Sequence, residues 1–150
     1  MPVNSQPRQS YAPATALHAN GAVPDWVQLL PLTPFTGRDG RGPYMGSLDD
    51  VAARSELPFA VDEAHGIDQP WQGNTRAHGW VVELQVRADG LWGRVEWTES
   101  GRDLVQSKAY RFSSPVFTHS DQLVIGEVLR LALVNNPNLR LASLNRQQDD

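Results

Sequence analysis

The chain has 150 residues, the size of one ordinary domain and enough to enclose a hydrophobic core. Its formal net charge of −4 lacks the basic footprint of a general nucleic-acid binder, and the lack of cysteine excludes disulfides, thiolate zinc sites and a cysteine nucleophile. No apolar run approaches the length of a membrane span, and the N-terminus lacks the basic and apolar regions of a signal peptide. We therefore expect a soluble protein that binds neither nucleic acid nor membrane.

The N-terminal half predicts a tail followed by short elements. Residues 1–23 are rich in Pro, Ser, Asn, Gln and Ala without apolar periodicity, which predicts a flexible tail. A short strand is expected from Trp26, and Ser47 is a good N-cap for a helix with two acids in its first turn. An apolar strand then leads to Asp62 and into an acidic loop that ends at His65.

The clearest pattern is a β-hairpin. Two alternating runs, Trp80 to Arg87 and Leu91 to Trp97, flank the turn sequence Asp89-Gly90. A short helix capped by Thr98 or Ser100 is expected next. Further strands follow at 110–117 and 123–134, the second interrupted near Gly126. Six to eight strands and two or three helices predict a mainly β fold, a closed or partly closed β-barrel with peripheral helices. We expect this barrel domain to span residues 24–144 and to be followed by a polar end, 145–150.

Two adjacent hydroxyls, Ser113 and Ser114, stand at the centre of a predicted strand, directly before Pro115. Successive strand residues point to opposite faces, so only one of the two serines can face a given pocket. On the strand pattern alone, a structural role is the simpler interpretation of the pair.

The four histidines differ in their surroundings. His18 lies in the predicted tail, and His119 is expected to be exposed in a polar turn. His78 precedes the hairpin, either as a turn residue or as a partner for a site. His65 has carboxylates beside it, which favour the imidazolium and can hold the ring in one tautomer. No motif of the zinc-protease or phosphate-loop kind is present, so neither a metal nor a cofactor is expected.

An ordered series of motifs runs through the chain. The motifs are WVQLLP at 26–31, GRDGRGP at 37–43, VDEAH at 61–65, AHGWV at 77–81, DGLWGRVEWT at 89–98, YRFSSPVF at 110–117 and LVNNPNL at 133–139. Together they resemble the protease part of the phage Mu I protein family, the capsid-maturation (prohead) proteases of Mu-like phages. The resemblance covers about residues 24–142.

The resemblance implies a serine endopeptidase whose barrel is similar to that of the herpesvirus assemblins. In the family pattern the serine directly before Pro-Val-Phe recurs, which selects Ser114 as the nucleophile, with His65 as the general base. The third group is open: Asn135 or Asn136 matches the place of the third member in the assemblin order, and Asp62 is the rival. Arg140 is a further candidate, as a helper of backbone N–H groups in stabilising the oxyanion.

The resemblance also implies a setting. The enzyme would act in the host cytoplasm, inside the procapsid, on scaffold and capsid proteins and on itself, and a homo-oligomer would be compatible with that role. The competing hypothesis is a non-catalytic scaffold or structural component that keeps the barrel. Family members usually continue into a helical scaffold region, so a protease fragment, a processed form or a separate short product is expected here.

Overall fold

The fold is that of a computed structural model, which describes residues 8–11, 15–16, 23–69, 71, 73 and 75–135. The strands are β1 Arg8–Tyr11, β2 Thr15–Ala16, β3 Trp26–Pro31, β4 Phe59–Glu63, β5 Gly79–Arg87, β6 Gly90–Trp97, β7 Phe112–His119 and β8 Ile125–Val134. The helices are α1 Leu48–Arg54 and α2 Glu99–Gln106, and a 3-10 turn covers Gly66–Asp68. No helix among these residues is long and apolar enough to cross a membrane.

The strands form one sheet in the order β1-β7-β8-β4-β5-β6-β3, with β2 also paired to β7. The six strands from β7 to β3 curl into a nearly closed barrel, in which β3 approaches β7. All pairings are antiparallel except that of β4 with β8. The predicted mainly β fold, a partly closed barrel with peripheral helices, is therefore confirmed.

The barrel encloses one main core, to which every one of its six strands contributes apolar side chains. Its fully buried members include Leu30, Val61, Val81, Phe117 and Leu131, each at 0% exposure. These residues alternate along their strands with outward-facing ones, as the two-residue strand period requires. A second, small buried cluster lies on the outer face, where Phe112 packs against Ala132 and Val134.

β5 and β6 form the predicted hairpin, but the turn is one residue earlier than Asp89-Gly90: Arg87 pairs with Gly90, so Ala88 and Asp89 are the turn residues and Gly90 begins β6. Gly90 has a φ of +143°, and a Cβ at this position would lie 2.0 Å from the carbonyl oxygen of Leu30 on the neighbouring strand. Glycine is thus required by the backbone conformation and by the close approach of β3.

Both predicted helices are present with their caps. The Ser47 and Thr98 side chains accept from the N–H groups of Asp50 and Gly101, respectively. Just past α1, Ser55 Oγ donates to Val51 O at 2.8 Å and accepts from Val128 N at 2.9 Å. One hydroxyl therefore ends the helix and ties it to β8.

Some expectations differ from the fold. His119 was expected in an exposed turn, but it lies within β7 at 4% exposure, against the ring of Tyr44. Strand β7 ends two residues beyond the predicted end at Phe117, because the ring of His119 packs against the aromatic rings of Tyr44 and Phe117. The β8 strand runs through Gly126 as one element, but its register with β7 shifts between Ile125 and Val128, so the interruption predicted near Gly126 is an irregularity in the strand pairing and not a break.

The division into a tail, 1–23, a barrel domain, 24–144, and a polar end, 145–150, stays a prediction. Within the predicted tail, β1 and β2 pair with β7. The helix or strand expected over 139–144 lies outside the described residues.

We predict that Phe117→Ala destabilises the fold by about 3–5 kcal/mol, because it removes a fully buried ring and leaves a cavity. The ring of Phe117 lies 5.3 Å from that of Tyr44 and 6.3 Å from that of Phe35. Urea unfolding would measure the loss. Val86→Ala, at a side chain 38% exposed, is the control and should change stability little; equal losses in both variants would contradict this account of the core.

Candidate active site

The register of three strands places Ser114 and Asp62 on the same face of the sheet. Strand β8 lies between β4 and β7, and its Ala132 pairs with Asp62 of β4 on one edge and with Ser114 of β7 on the other. With neighbouring strands about 4.8 Å apart, their Cα atoms lie about 10 Å from each other. Ser114 is 2% exposed and faces the outer side with Ala132.

Ser113 faces the other way. It is aligned with Leu133, a member of the barrel core, and its buried Oγ has no hydrogen-bond partner among the described residues. The two serines thus divide between the two faces of β7, as the strand period predicts. Only Ser114 shares a face with Asp62.

His65 lies in a tight turn at the end of β4. Ala64 and His65 both have left-handed backbone conformations, with φ of 54° and 61°, which are uncommon for residues other than glycine and collect at functional sites. The turn sends the following 3-10 segment back over the strand, so that Ile67 N donates to Asp62 Oδ2 at 3.0 Å. The loop that carries His65 is therefore held down by Asp62.

Four charged or titratable groups meet at this end of the sheet. Arg130 of β8 forms an ion pair with Asp68, and both side chains are about four-fifths buried. Burial raises the pKa of Asp62 above its ordinary value, against the opposing effects of the Ile67 N–H, His65 and Arg130. Burial lowers the pKa of His65, although the carboxylates of Asp62 and Asp68 act in the opposite direction. A lowered pKa favours the neutral imidazole of His65, the form that can accept a proton.

The structure thus places Ser114 and Asp62 on one face of the β4–β8–β7 sheet, and His65 interacts with Asp62 from the turn at the end of β4. Asn135 is engaged elsewhere: its Oδ1 accepts from Arg111 N at 3.1 Å and its Nδ2 donates to Ala109 O at 2.8 Å. Of the described candidates for the third group, Asp62 is the one that interacts with His65. Asn136 and Arg140 lie outside the described residues.

A second polar network, which sequence reasoning missed, lies behind this site. Tyr110 OH donates to Glu63 Oε2 at 2.9 Å, and Glu63 Oε1 lies 3.2 Å from Nε2 of His78. The other ring nitrogen of His78, Nδ1, is 2.8 Å from Ser100 Oγ. His78 itself is 1% exposed. The network joins the segment before β7 to the end of β4, the start of β5 and the first turn of α2.

The backbone around His78 is packed as closely as its ring. His78 N donates to Val61 O at 2.7 Å, and its carbonyl oxygen accepts from Thr98 N at 3.0 Å. A Cβ on Gly101 would lie 1.7 Å from that oxygen, so only glycine fits there. The contacts join residues 22 and 47 positions apart, and no local pattern reveals them. The one signal was a histidine directly before the hairpin.

We predict that acidification destabilises the fold in part through His65. The unfolded His65 takes up a proton near its ordinary pKa of 6.5, whereas the folded side chain resists it. This contribution is fully present above pH 6.5 and is lost as the pH falls towards the lowered folded value. The slope of the free energy of unfolding from this residue is at most about 1.4 kcal/mol per pH unit.

Chemical unfolding between about pH 5.5 and 7.5 in the wild type and in His65→Gln would measure it. The raised pKa of Asp62 acts with the opposite sign, because the folded form then holds its proton more tightly, so the difference between the two proteins is the relevant quantity. An identical pH dependence of the two proteins would contradict the assigned burial of His65.

We also predict that Tyr110→Phe destabilises the fold by about 1–2 kcal/mol, because it removes the hydrogen bond that Tyr110 OH donates to the carboxylate of Glu63. Glu63→Gln should cost a similar amount, and the double variant should cost less than the sum of the two. Thermal or urea unfolding of the three variants gives the coupling energy. Strict additivity would show that the Tyr110–Glu63 contact contributes nothing.

Comparison with known proteins gives one finding. No curated protein and no solved structure matches the chain significantly. The family model described as Mu-like prophage I protein, N-terminal domain, matches residues 27–145, which is most of the chain and spans all six barrel strands. The chain therefore belongs to the Mu-like prophage I protein family, and residues 27–145 correspond to its N-terminal domain.

Proposed function

We propose that the protein is a serine endopeptidase of phage prohead maturation, which cleaves scaffold protein and itself during capsid assembly. The supporting observation is the alignment of Ser114 and Asp62 on either side of Ala132, with His65 held beside Asp62. A hydroxyl, an imidazole and a carboxylate on one face are the groups that acyl transfer by a serine requires. Membership of a phage family supports the setting.

In the proposed reaction, His65 takes the proton of Ser114 Oγ as that oxygen attacks the carbonyl carbon of a peptide bond. The resulting imidazolium gives its proton to the leaving amine when the C–N bond breaks, which leaves an acyl-enzyme on Ser114. A water molecule, deprotonated by the same ring, then releases the acid and restores the serine. The lowered pKa of His65 supports this role, because the ring starts neutral.

Asp62 is the proposed orienting group. Its Oδ2 is occupied by the N–H of Ile67, while its buried Oδ1 accepts no hydrogen bond from the described residues. The interaction with His65 is electrostatic, since His65 Nδ1 is buried without a hydrogen-bond partner among the described residues. A carboxylate near a histidine favours the imidazolium that forms during the reaction. The proposed roles of Asn136 and Arg140 stay predictions.

The test is Ser114→Ala in the full chain, with Ser113→Ala as the matched control. The phage's own scaffold protein is the substrate, and cleavage is followed by electrophoresis and mass spectrometry. We expect Ser114→Ala to lose at least about 1,000-fold in cleavage rate, because the nucleophile is gone, while the fold remains. Ser113→Ala should retain cleavage within about tenfold, because its hydroxyl faces the core.

Undiminished cleavage by Ser114→Ala would refute the assignment of the nucleophile. A wild-type protein that cleaves neither scaffold nor itself, yet is required for procapsid assembly, would instead favour the non-catalytic scaffold role. Circular dichroism and thermal unfolding of both variants separate a loss of chemistry from a loss of fold.

A further inference from the structure

A groove opens on the outer face of the barrel where β4 and β8 are not yet paired. The parallel pairing of these strands covers only Val61–Glu63 with Leu131–Leu133, so the earlier residues of each strand diverge. The groove has a volume of about 240 Å³. It is lined by Glu56, Pro58, Phe59, Ala60, Trp80, Glu127, Val128 and Leu129.

The floor and one wall of the groove are apolar. Trp80 of β5 is aligned with Ala60 of β4, and its ring is 42% exposed, which is unusual for so large an apolar side chain. Pro58 and Phe59 line the groove beside it. An exposed indole next to aliphatic groups offers a face to the methylene stem of a long side chain or to a cation.

The rim carries two carboxylates without a counter-ion. Glu56 and Glu127 form no ion pair with any described residue. The nearby cations are engaged: Arg54 lies 4.0 Å from Asp50 and 3.5 Å from Gly126 O, and Arg130 is paired with Asp68. The groove is therefore acidic at its rim and apolar at its base.

The groove is continuous with the proposed catalytic face. Ala60 and Asp62 point to the same side of β4, and Leu129 directly precedes Arg130 on β8. From the strand rise of about 3.3 Å per residue and the strand spacing of about 4.8 Å, the near edge of the groove, at Ala60 and Leu129, lies roughly 11–12 Å from Ser114, and Trp80 lies about 16 Å away. An extended peptide reaches the near edge in three or four residues, and a long side chain at that point extends further towards Trp80.

We propose that this groove is a substrate subsite that takes a lysine or arginine side chain three or four residues from the scissile bond. The methylene stem packs on Trp80 and Pro58, and the cationic end lies between Glu56 and Glu127. The charge of the rim selects this occupant over an apolar side chain, for which two unpaired carboxylates would be unfavourable. The placement relative to the scissile bond rests on the proposed function; the binding of the cationic side chain does not.

The binding test uses the full chain with Ser114→Ala, so that no probe is cleaved. The probes are two blocked pentapeptides, acetyl-Ala-Ala-Lys-Ala-Ala-amide and the same peptide with norleucine in place of lysine. The readout is the indole N–H resonance of Trp80, assigned by its loss in Trp80→Phe. We expect a saturable shift with the lysine peptide and a Kd at least fivefold lower than for the norleucine peptide.

The combined change Glu56→Gln with Glu127→Gln should abolish this preference. Removal of two exposed carboxylates elsewhere, Glu99→Gln with Asp103→Asn on α2, is the matched control and should preserve it. Equal or tighter binding of the norleucine peptide, an unmoved Trp80 resonance, or a preference that survives in the first double variant would each overturn the proposal.

A cleavage test then addresses placement. The wild-type chain is given a library of peptides, and the residues around each cleaved bond are read by mass spectrometry. Enrichment of lysine and arginine three or four residues from the cleaved bond, lost in Glu56→Gln with Glu127→Gln, is expected. Cleavage without this enrichment would refute the subsite, whereas no cleavage of any peptide would refute the proposed endopeptidase and leave the binding result to stand alone.

Discussion

Three parallel residue pairs, Val61–Glu63 with Leu131–Leu133, hold the barrel together. In the strand order of the sheet, this short ladder is the link between the β3–β6–β5–β4 part and strands β8 and β7. Its inward side chains, Val61, Leu131 and Leu133, are all fully buried, and each such burial contributes roughly 1.5–3 kcal/mol. The same ladder sets the outer face, because it aligns Asp62 with Ala132 and so with Ser114. Where the ladder stops, the groove beside Trp80 begins.

The end of β4 carries two neighbouring carboxylates, Asp62 and Glu63, which point to opposite faces of the sheet and have different surroundings. Glu63 points towards the interior side, where its Oε2 accepts from Tyr110 OH and its Oε1 lies 3.2 Å from His78 Nε2. Asp62 points outward, where burial raises its pKa and Oδ1 has no hydrogen-bond partner among the described residues. A desolvated, half-satisfied carboxylate costs stability, and such costs collect at functional sites. The left-handed turn at Ala64 and His65 adds to that cost. The contacts of Glu63 with Tyr110 and His78 hold the end of β4 in place on the interior side. They offset the cost of the left-handed turn and of the buried Asp62 on the outer side.

The features that could be predicted from the sequence are those set by interactions between residues close together in the chain. The β5–β6 hairpin follows from turn preferences, and the caps at Ser47 and Thr98 follow from capping. The division of Ser113 and Ser114 between two faces follows from the strand period. The parallel register of β4 and β8 could not be predicted, because nothing in either strand encodes its partner. For the same reason the Tyr110–Glu63–His78–Ser100 network was missed, as was the burial of His119. Long-range packing decides these, and the alternation of apolar residues reports only which face is buried.

The spacing between Asp62 and Ser114 bears on the chemistry. Their Cα atoms, about 10 Å apart, are too distant for the carboxylate and hydroxyl to meet directly. An imidazole between them would need the width of its ring and two hydrogen bonds of about 2.8 Å each, which is close to the space available. Ala132 lies between them and presents only a methyl group, which is fully buried, so no long side chain of β8 separates the carboxylate from the hydroxyl. A longer side chain at that position would occupy the space that a ring must enter.

His65 follows Asp62 by three residues in a turn that folds back over the strand, so its ring starts beside the carboxylate. In the proposed site, strand register and one small residue set the separation of carboxylate and hydroxyl, and the position of the His65 ring depends on the loop at residues 64–69.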